Sequence, residues 1–254
     1  MKTFVVGDIH GAHRALLQCI ERSEINKSKD RLIVLGDVVD GWNQVPECID
    51  TLLEFKKLIA IRGNHDDWFM SWYRTKIPKP IWLRQGGQAT FNRYNNNADL
   101  LQYHMEEYFN KTKVYYVDKK TNYAYMHGGY DWTIPLKKND PHYIMWTRNM
   151  IEYGQNWYVN FKFNLNEDSD ASKETLFPEF RKIFVGHTTT EYAANWRYEA
   201  STAPAFLGNL INLDTGAGWN GKLTIMNADT NEYWQSDKLN TLYNESENAR
   251  EQFK

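Results

Sequence analysis

Thr3-Phe4-Val5-Val6-Gly7-Asp8-Ile9-His10-Gly11 is an apolar, β-branched run that stops abruptly at a glycine and a carboxylate. The pattern returns as Arg31-Leu32-Ile33-Val34-Leu35-Gly36-Asp37-Val38-Val39-Asp40, and again as Leu58-Ile59-Ala60-Ile61-Arg62-Gly63-Asn64-His65-Asp66. Each apolar run has the length and composition of a buried strand. Between the first two, Leu16, Leu17 and Ile20 recur at helical spacing, with Ala15 and Cys19 on the same side, which predicts a helix over 12–22. Pro46 then suits a first helical turn, and Ile49, Leu52, Leu53 and Lys56 mark a second amphipathic helix. The order β-α-β-α-β favours a parallel sheet whose strand ends gather on one edge, where ligand sites of open α/β sheets lie. Asp8, Asp37 and Asn64 should therefore converge although they are far apart in the chain.

Working outward, Trp68 to Tyr73 reads as an aromatic helix broken by Pro78 and Pro80. Gln88 to Tyr94 and Leu100 to Phe109 read as two more helices. Val114 to Val117 and Tyr123 to Met126 are strands, the second ending at His127-Gly128-Gly129. Residues 141–166 show no clear period, and 167–174 is a polar, acidic loop. Ile183 to Val185 is a strand ending at Gly186-His187-Thr188. Leu210 to Asp214 and Lys222 to Asn227 read as strands joined by a turn, for which Asn220-Gly221 is a hairpin signal. The last strands are antiparallel, so the sheets should be mixed. One domain over 1–235, followed by a polar C-terminal tail or helix over 236–254 with a solvated face, accounts for the chain without a linker.

At 254 residues the chain can bury a full core. The formal charge of −2 gives no basic excess to draw the molecule onto nucleic acid, so no stable nucleic-acid partner is expected. Ten Trp and sixteen Tyr fit core packing or, more sharply, a stacking surface for a base or sugar. Cys19 and Cys48 are isolated, as for buried thiols in a reducing compartment. The first apolar run is too short for a signal-peptide core and no stretch has membrane-spanning length. The expectation is a cytoplasmic protein without a membrane partner.

The strand ends now offer Asp8, His10, Asp37, Asn64, His127 and His187. Carboxylate oxygen mixed with imidazole nitrogen suits Mn²⁺, Fe or Zn²⁺ better than Ca²⁺. A carboxylate can bridge two such ions, and an ion pair can clamp the attacking and leaving oxygens of an in-line displacement. His104 on an apolar helix face reads as structural, and His13 has no assigned task.

In order, Gly7-Asp8-x-His10-Gly11, Gly36-Asp37-x-x-Asp40, Arg62-Gly63-Asn64-His65-Asp66, His127-Gly128-Gly129 and Gly186-His187-Thr188 resemble the calcineurin-like metallophosphoesterase superfamily. They are most similar to lambda-type serine/threonine phosphoprotein phosphatases and to diadenosine tetraphosphatases. Trp82-Leu83-x-x-Gly86-Gly87, Trp146-x-Arg148 and Asp214-Thr215-Gly216-Ala217 extend the resemblance. It implies an α/β fold, a four-layer α/β/β/α sandwich of two mixed β-sheets flanked by helices. It also implies two divalent ions, with manganese favoured and iron or zinc as alternatives. Asp8 and His10 would bind the first, Asp37 would bridge, and Asn64, His127 and His187 would bind the second. His65 would be the general acid, held by Asp40, and Arg148 would grip phosphoryl oxygens. The implied reaction is hydrolysis of phosphate monoesters by a dinuclear-metal-activated hydroxide. The alternative is a dinucleoside polyphosphate hydrolase or a nucleotide or nucleic-acid phosphodiesterase. The partner is a phosphorylated substrate: a phosphoprotein, a nucleotide or a small phosphoester.

One position departs from that pattern. The second block usually ends Asp-Arg-Gly, the arginine binding phosphate, whereas this chain has Asp40-Gly41-Trp42. Arg62, Arg84 and Arg93 are candidate substitutes by chemistry alone. Trp42 could offer a stacking face to a base or simply pack at the start of the helix.

Overall fold

The computed structural model describes residues 1–164, 174–191 and 201–250. Most of the expected acidic loop over 167–174 lies outside the described residues. The three opening strands form as read: β1 (Thr3–Val6), β2 (Arg31–Val34) and β3 (Leu58–Ala60). They pair in parallel, Phe4 beside Leu32 and Leu32 beside Leu58. The linking helices are α1 (His13–Ser23) and α2 (Val45–Leu53), with Pro46 in the first turn of α2.

Helix α3 (Asn64–Thr75) begins earlier than the aromatic pattern suggested. Asp66 explains this, because its carboxylate accepts a 2.9 Å hydrogen bond from the Gly63 amide and so ties down a free N–H of the first turn. Asp66 and Asp67 also place negative charge at the positive end of the helix. The chain continues through α4 (Pro80–Trp82), α5 (Gln88–Tyr94) and α6 (Ala98–Glu107). It then enters strands β4 (Tyr115–Asp118) and β5 (Tyr123–Met126). Helices α7 (Pro141–Trp146) and α8 (Asn149–Asn164) lead to β6 (Lys182–Val185), β7 (Ala205–Leu207) and β8 (Leu210–Asn212). The last elements are β9 (Thr224–Asn227), β10 (Tyr233–Gln235) and α9 (Leu239–Leu242).

These strands make two five-stranded mixed sheets, ordered β10-β9-β1-β2-β3 and β4-β5-β6-β8-β7. Strand alternation shows how they pack. Val5, Ile33 and Met226 of the first sheet share one apolar cluster with Tyr125, Phe184 and Ile211 of the second. Their neighbours face the other way: Phe4, Val6, Leu32 and Val34 pack with Leu16, Cys19, Ile49 and Leu52 of α1 and α2. Ala124, Met126, Ile183 and Val185 pack with Ile144, Met150 and Ile151 of α7 and α8. The two sheets are thus stacked face to face with helices on both outer sides, the four-layer arrangement that the motifs implied.

The Asn220-Gly221 hairpin does not form. β8 pairs with β6 and β7 in one sheet, and β9 pairs with β1 and β10 in the other. The residues between them cross from sheet to sheet, and the Gly221 amide merely closes a local turn onto the Gly216 carbonyl at 3.0 Å. Trp42 is buried, donates its indole N–H to the Ala217 carbonyl at 2.7 Å and stacks on Tyr243 at 4.6 Å. It is a packing residue and offers no face to a base.

The C-terminal segment is only partly solvated. Asp237 stays at the surface, but Tyr243, Asn248, Ala249 and Arg250 are buried. Asn248 bridges to Trp42, and the Ala249 amide donates to the Gly41 carbonyl at 2.8 Å. No helix among the described residues is long and apolar enough to cross a membrane.

Candidate metal centre and active site

The C-terminal ends of the parallel strands from both sheets meet. Asp8 follows β1, Asp37 follows β2, Asn64 opens α3, His127 follows β5 and His187 follows β6. His127 Nδ1 lies 2.8 Å from the Leu35 carbonyl and joins the two sheets at this edge. Four of the residues there, His10, Asp37, Asp40 and His187, adopt positive φ of 51°, 48°, 72° and 67°. L-residues avoid this conformation at a cost of about 1 kcal/mol or more each, and such strain concentrates at functional sites. Gly63 and Gly186 complete the approach: a Cβ on either would collide with the carboxylate of Asp37 or of Asp8.

Two ligand-like groups share one carboxylate. Ligand atoms of Asp8, His10 and Asp37 lie within 4.8 Å of one another, as do those of Asp37, His127 and His187. Asn64 Oδ1 is 2.9 Å from both His127 Nε2 and His187 Nδ1. The structure therefore brings together all six expected ligands, with Asp37 in the middle.

Each histidine turns one nitrogen to the cluster and the other to a backbone carbonyl. His10 Nδ1 donates to Val39, His127 Nδ1 to Leu35 and His187 Nε2 to Trp146, at 2.9, 2.8 and 3.1 Å. That arrangement orients each ring with its other nitrogen facing inward, as outer partners of metal-binding histidines do. Asp8 Oδ1 is buried without a hydrogen-bond partner, while Oδ2 accepts from the His187 amide at 3.0 Å. A buried carboxylate oxygen with no donor, in one group with ligand atoms of His10 and Asp37, fits a cation-binding position.

The charge balance agrees. Burial, with Asp214 and Asp37 close by, holds the Asp8 carboxyl well above its usual range. Burial raises Asp214 to about 6. Burial would raise Asp37 too, but the imidazoles of His127, His65 and His10 outweigh it and hold its carboxyl well below the usual range. Burial opposes charge on His127, yet Asp37 and Asp8 raise it to about 10. Burial lowers His10 and His187 well below their ordinary value and so keeps them neutral, the state that ligates. Oxygen and nitrogen donors in this mix fit a pair of divalent transition metals.

Beside the cluster, His65 Nδ1 lies 2.6 Å from Asp40 Oδ2. Asp40 is fully buried and receives the Trp82 indole N–H at 2.9 Å and the Thr90 hydroxyl at 2.7 Å. With Nδ1 engaged, Nε2 is the free nitrogen of an imidazole whose ring centre is 5.1 Å from that of His10. Arg148, half-buried, has no side-chain partner among the described residues and lines an open cleft of about 630 Å³ with His142, Trp146 and Asn149. His142 stacks on Trp146, with ring centres 5.6 Å apart and 20° between planes. Trp146 of the cleft has its ring centre 6.0 Å from that of His187 and its carbonyl 3.1 Å from His187 Nε2, so the cleft borders the metal cluster.

Other residues had no assignment from sequence. Asp66 braces the Asp37 loop by accepting from the amides of Asp37 and Val38 at 2.9 and 3.1 Å. Its place three residues after Gly63 is the legible signal, a capping position. Asp214, Trp82 and Thr90 lie in or near quoted blocks. Arg250 had no signal at all, yet its Nη2 lies 3.2 Å from His10 Nδ1. Arg62 and Arg93 instead engage Thr112 and Glu47, and Arg84 is exposed. His13 bonds Thr51 and His104 sits between Tyr94 and Asp50, both away from the cluster.

Residues 1–208 match the sequence profile of the calcineurin-like phosphoesterase family. The chain belongs to that family. This calcineurin-like phosphoesterase is 25% identical, over 91% of its length and 93% of the relative's, to a symmetrical bis(5'-nucleosyl)-tetraphosphatase of Pseudomonas fluorescens. Among solved structures it is similar to a candidate diadenosine tetraphosphatase, with a TM-score of 0.63 and 14% identity over 92% of each chain. A metallophosphoesterase from Sphaerobacter thermophilus gives a TM-score of 0.55 and 17% identity over 99% of each chain. These structural likenesses establish the fold. The chain is a metal-dependent phosphoester hydrolase, and residues suited to a metal site are in place.

Proposed function

We propose that this phosphoesterase hydrolyses dinucleoside polyphosphates. The observation that carries the reading is the similarity to symmetrical bis(5'-nucleosyl)-tetraphosphatases over nine-tenths of both chains. It favours the alternative over the protein-phosphatase-like monoesterase that motif order first suggested. The open cleft supports it: a free guanidinium, Arg148, stands next to the stacked His142–Trp146 pair. A phosphate chain and a base need just these two kinds of surface.

In this reading Asp8, His10 and Asp37 would hold one divalent ion, and Asp37, Asn64, His127 and His187 would hold a second, with manganese the favoured metal. When bound, such ions supply Lewis-acid polarisation of phosphoryl oxygens and a more acidic water. The chain's own groups do the rest. Asp40 holds the His65 imidazolium through Nδ1, and Nε2 delivers a proton to the departing phosphate oxygen. Trp82 and Thr90 hold the Asp40 carboxylate in place. Arg148 grips a phosphoryl oxygen and orients the substrate along the cleft. The working location is the cytoplasm, with a soluble phosphorylated small molecule as partner.

The test is a substrate panel with Mn²⁺: diadenosine tetraphosphate, para-nitrophenyl phosphate, its bis ester and a phosphoserine peptide. The reading expects the tetraphosphate to have the highest kcat/KM. A preference for the phosphopeptide would return the site to the monoesterase class.

A further inference from the structure

Arg250 is the best-buried cation near the cluster that the proposed reaction does not yet use. It is 6% exposed and reaches the site from a C-terminal segment pinned by the Asn248–Trp42 bridge. Its Nε donates to the Gln85 carbonyl at 3.1 Å and its Nη1 to the Gly218 carbonyl. The guanidinium carbon lies 5.0 Å over the Trp219 ring, which closes one face. These contacts fix the plane of the fork.

The remaining nitrogen, Nη2, faces His10 at 3.2 Å from Nδ1 and 3.4 Å from Nε2. With an ion on His10, neither nitrogen would serve it as an acceptor. Nδ1 spends its proton on the Val39 carbonyl, and the Nε2 lone pair belongs to the cluster. Among the described residues no carboxylate is within ion-pair distance of Arg250. A buried guanidinium therefore points its Nη2 donors at the cluster, where the carboxylates of Asp40, Asp37, Asp214 and Asp8 act on it only from beyond ion-pair distance, and once cations engage those carboxylates an anion is needed to complete its charge balance. Gly41 makes room for the guanidinium itself: a Cβ there would stand 3.0 Å from Nη1 and 3.1 Å from the His10 carbonyl oxygen.

We infer that Arg250 is a substrate-binding residue, whose Nη2 edge grips a phosphoryl oxygen, with Gly41 leaving room for the guanidinium that does so. The inference rests on the phosphoester reading above and adds a residue to it. It replaces Arg62, Arg84 and Arg93 as the second phosphate clamp beside Arg148. The docked C-terminal segment is then part of the active site, and Trp42 and Tyr243 act through it by holding the segment in place.

The experiment measures binding of inorganic phosphate to Mn²⁺-loaded wild type, R250A and R250K by calorimetry, with metal content and melting temperature recorded for each. A charged hydrogen bond of this kind predicts a roughly 10- to 100-fold weaker phosphate Kd in R250A with metal content unchanged. Free guanidinium ion should restore part of it. Wild-type phosphate affinity in R250A would overturn the inference and leave Arg250 a packing residue. Tighter phosphate binding in R250A would also overturn it, as a plug lifted from the site. If R250A does not fold, R250K decides, since it keeps stem and charge but loses the fork: weaker phosphate binding at an unchanged melting temperature supports the inference, and unchanged binding overturns it. Diadenosine tetraphosphate turnover by wild type is followed in parallel. Its absence with phosphate binding intact defeats the polyphosphate reading and leaves the Arg250 result standing.

Discussion

His65 Nδ1 sits 2.6 Å from Asp40 Oδ2, and no water-exposed surface remains on that carboxylate. The pair fixes which imidazole nitrogen is left for chemistry. Asp40→Asn keeps the size but presents an amide, which no longer favours the imidazolium. We predict a fall in kcat of about 10²–10⁴ with KM near the wild-type value. Steady-state kinetics on purified variants decides this. A kcat within a few-fold of wild type would remove the dyad from the mechanism.

Trp82→Phe deletes one donor to Asp40 and leaves Thr90 in place. A hydrogen bond to a buried charge contributes roughly 1.5–3 kcal/mol. The variant should melt at lower temperature and lose part of kcat, less than Asp40→Asn loses. Thermal unfolding followed by tryptophan fluorescence, with kinetics on the same sample, reads both effects.

Metal removal tests the shared carboxylate. Ions that bind only the folded chain stabilise it, so chelation should lower the melting temperature and Mn²⁺ should restore it. Asp37→Ala should lose both ions, because Asp37 belongs to both ligand groups. His10→Ala should lose one. Metal analysis after gel filtration separates these outcomes, and equal losses in the two variants would argue against Asp37 as the bridge.

Arg31 in β2 and Asp118 in β4 form an ion pair that ties one sheet to the other. Burial opposes the Asp118 charge, but the Lys120 amide and Arg31 outweigh it and lower its carboxyl below the ordinary 3.8. A depressed folded-state pKa means the contribution is present above the unfolded value and is lost as pH falls through the folded one. Asp118→Asn should be destabilised by roughly 1 kcal/mol near neutrality. The gap should close as pH drops below 3.8. Urea unfolding across pH measures it.

Cys19 and Cys48 are buried, and burial pushes the Cys19 thiol up to about 12. Native protein should resist thiol reagents at pH 8, and both cysteines should react at once in denaturant.

Much of the site was legible because its residues follow apolar runs that stop at Gly-Asp or Gly-His, a pattern set by the strands themselves. The ligand group converges because those strands are parallel. Helix α8 escaped because a glycine, Gly154, interrupts the face it buries with Met150, Ile151 and Tyr158, while the aromatic Tyr153 lies exposed off that face. Asn220-Gly221 misled because a turn signal is local and cannot say which sheet each flank joins. Arg250 was invisible because it lies in a polar tail, and the groups that receive it, the carbonyls of Gln85 and Gly218, belong to backbone that any sequence carries.

The most direct test is the product analysis of diadenosine tetraphosphate incubated with Mn²⁺-loaded protein. The central bridging oxygen, flanked by two phosphates on each side, is the expected point of cleavage, and the account predicts ADP as the sole nucleotide product, two per substrate with one water consumed. An unchanged tetraphosphate in a preparation that hydrolyses para-nitrophenyl phosphate, or release of AMP with ATP, would contradict it.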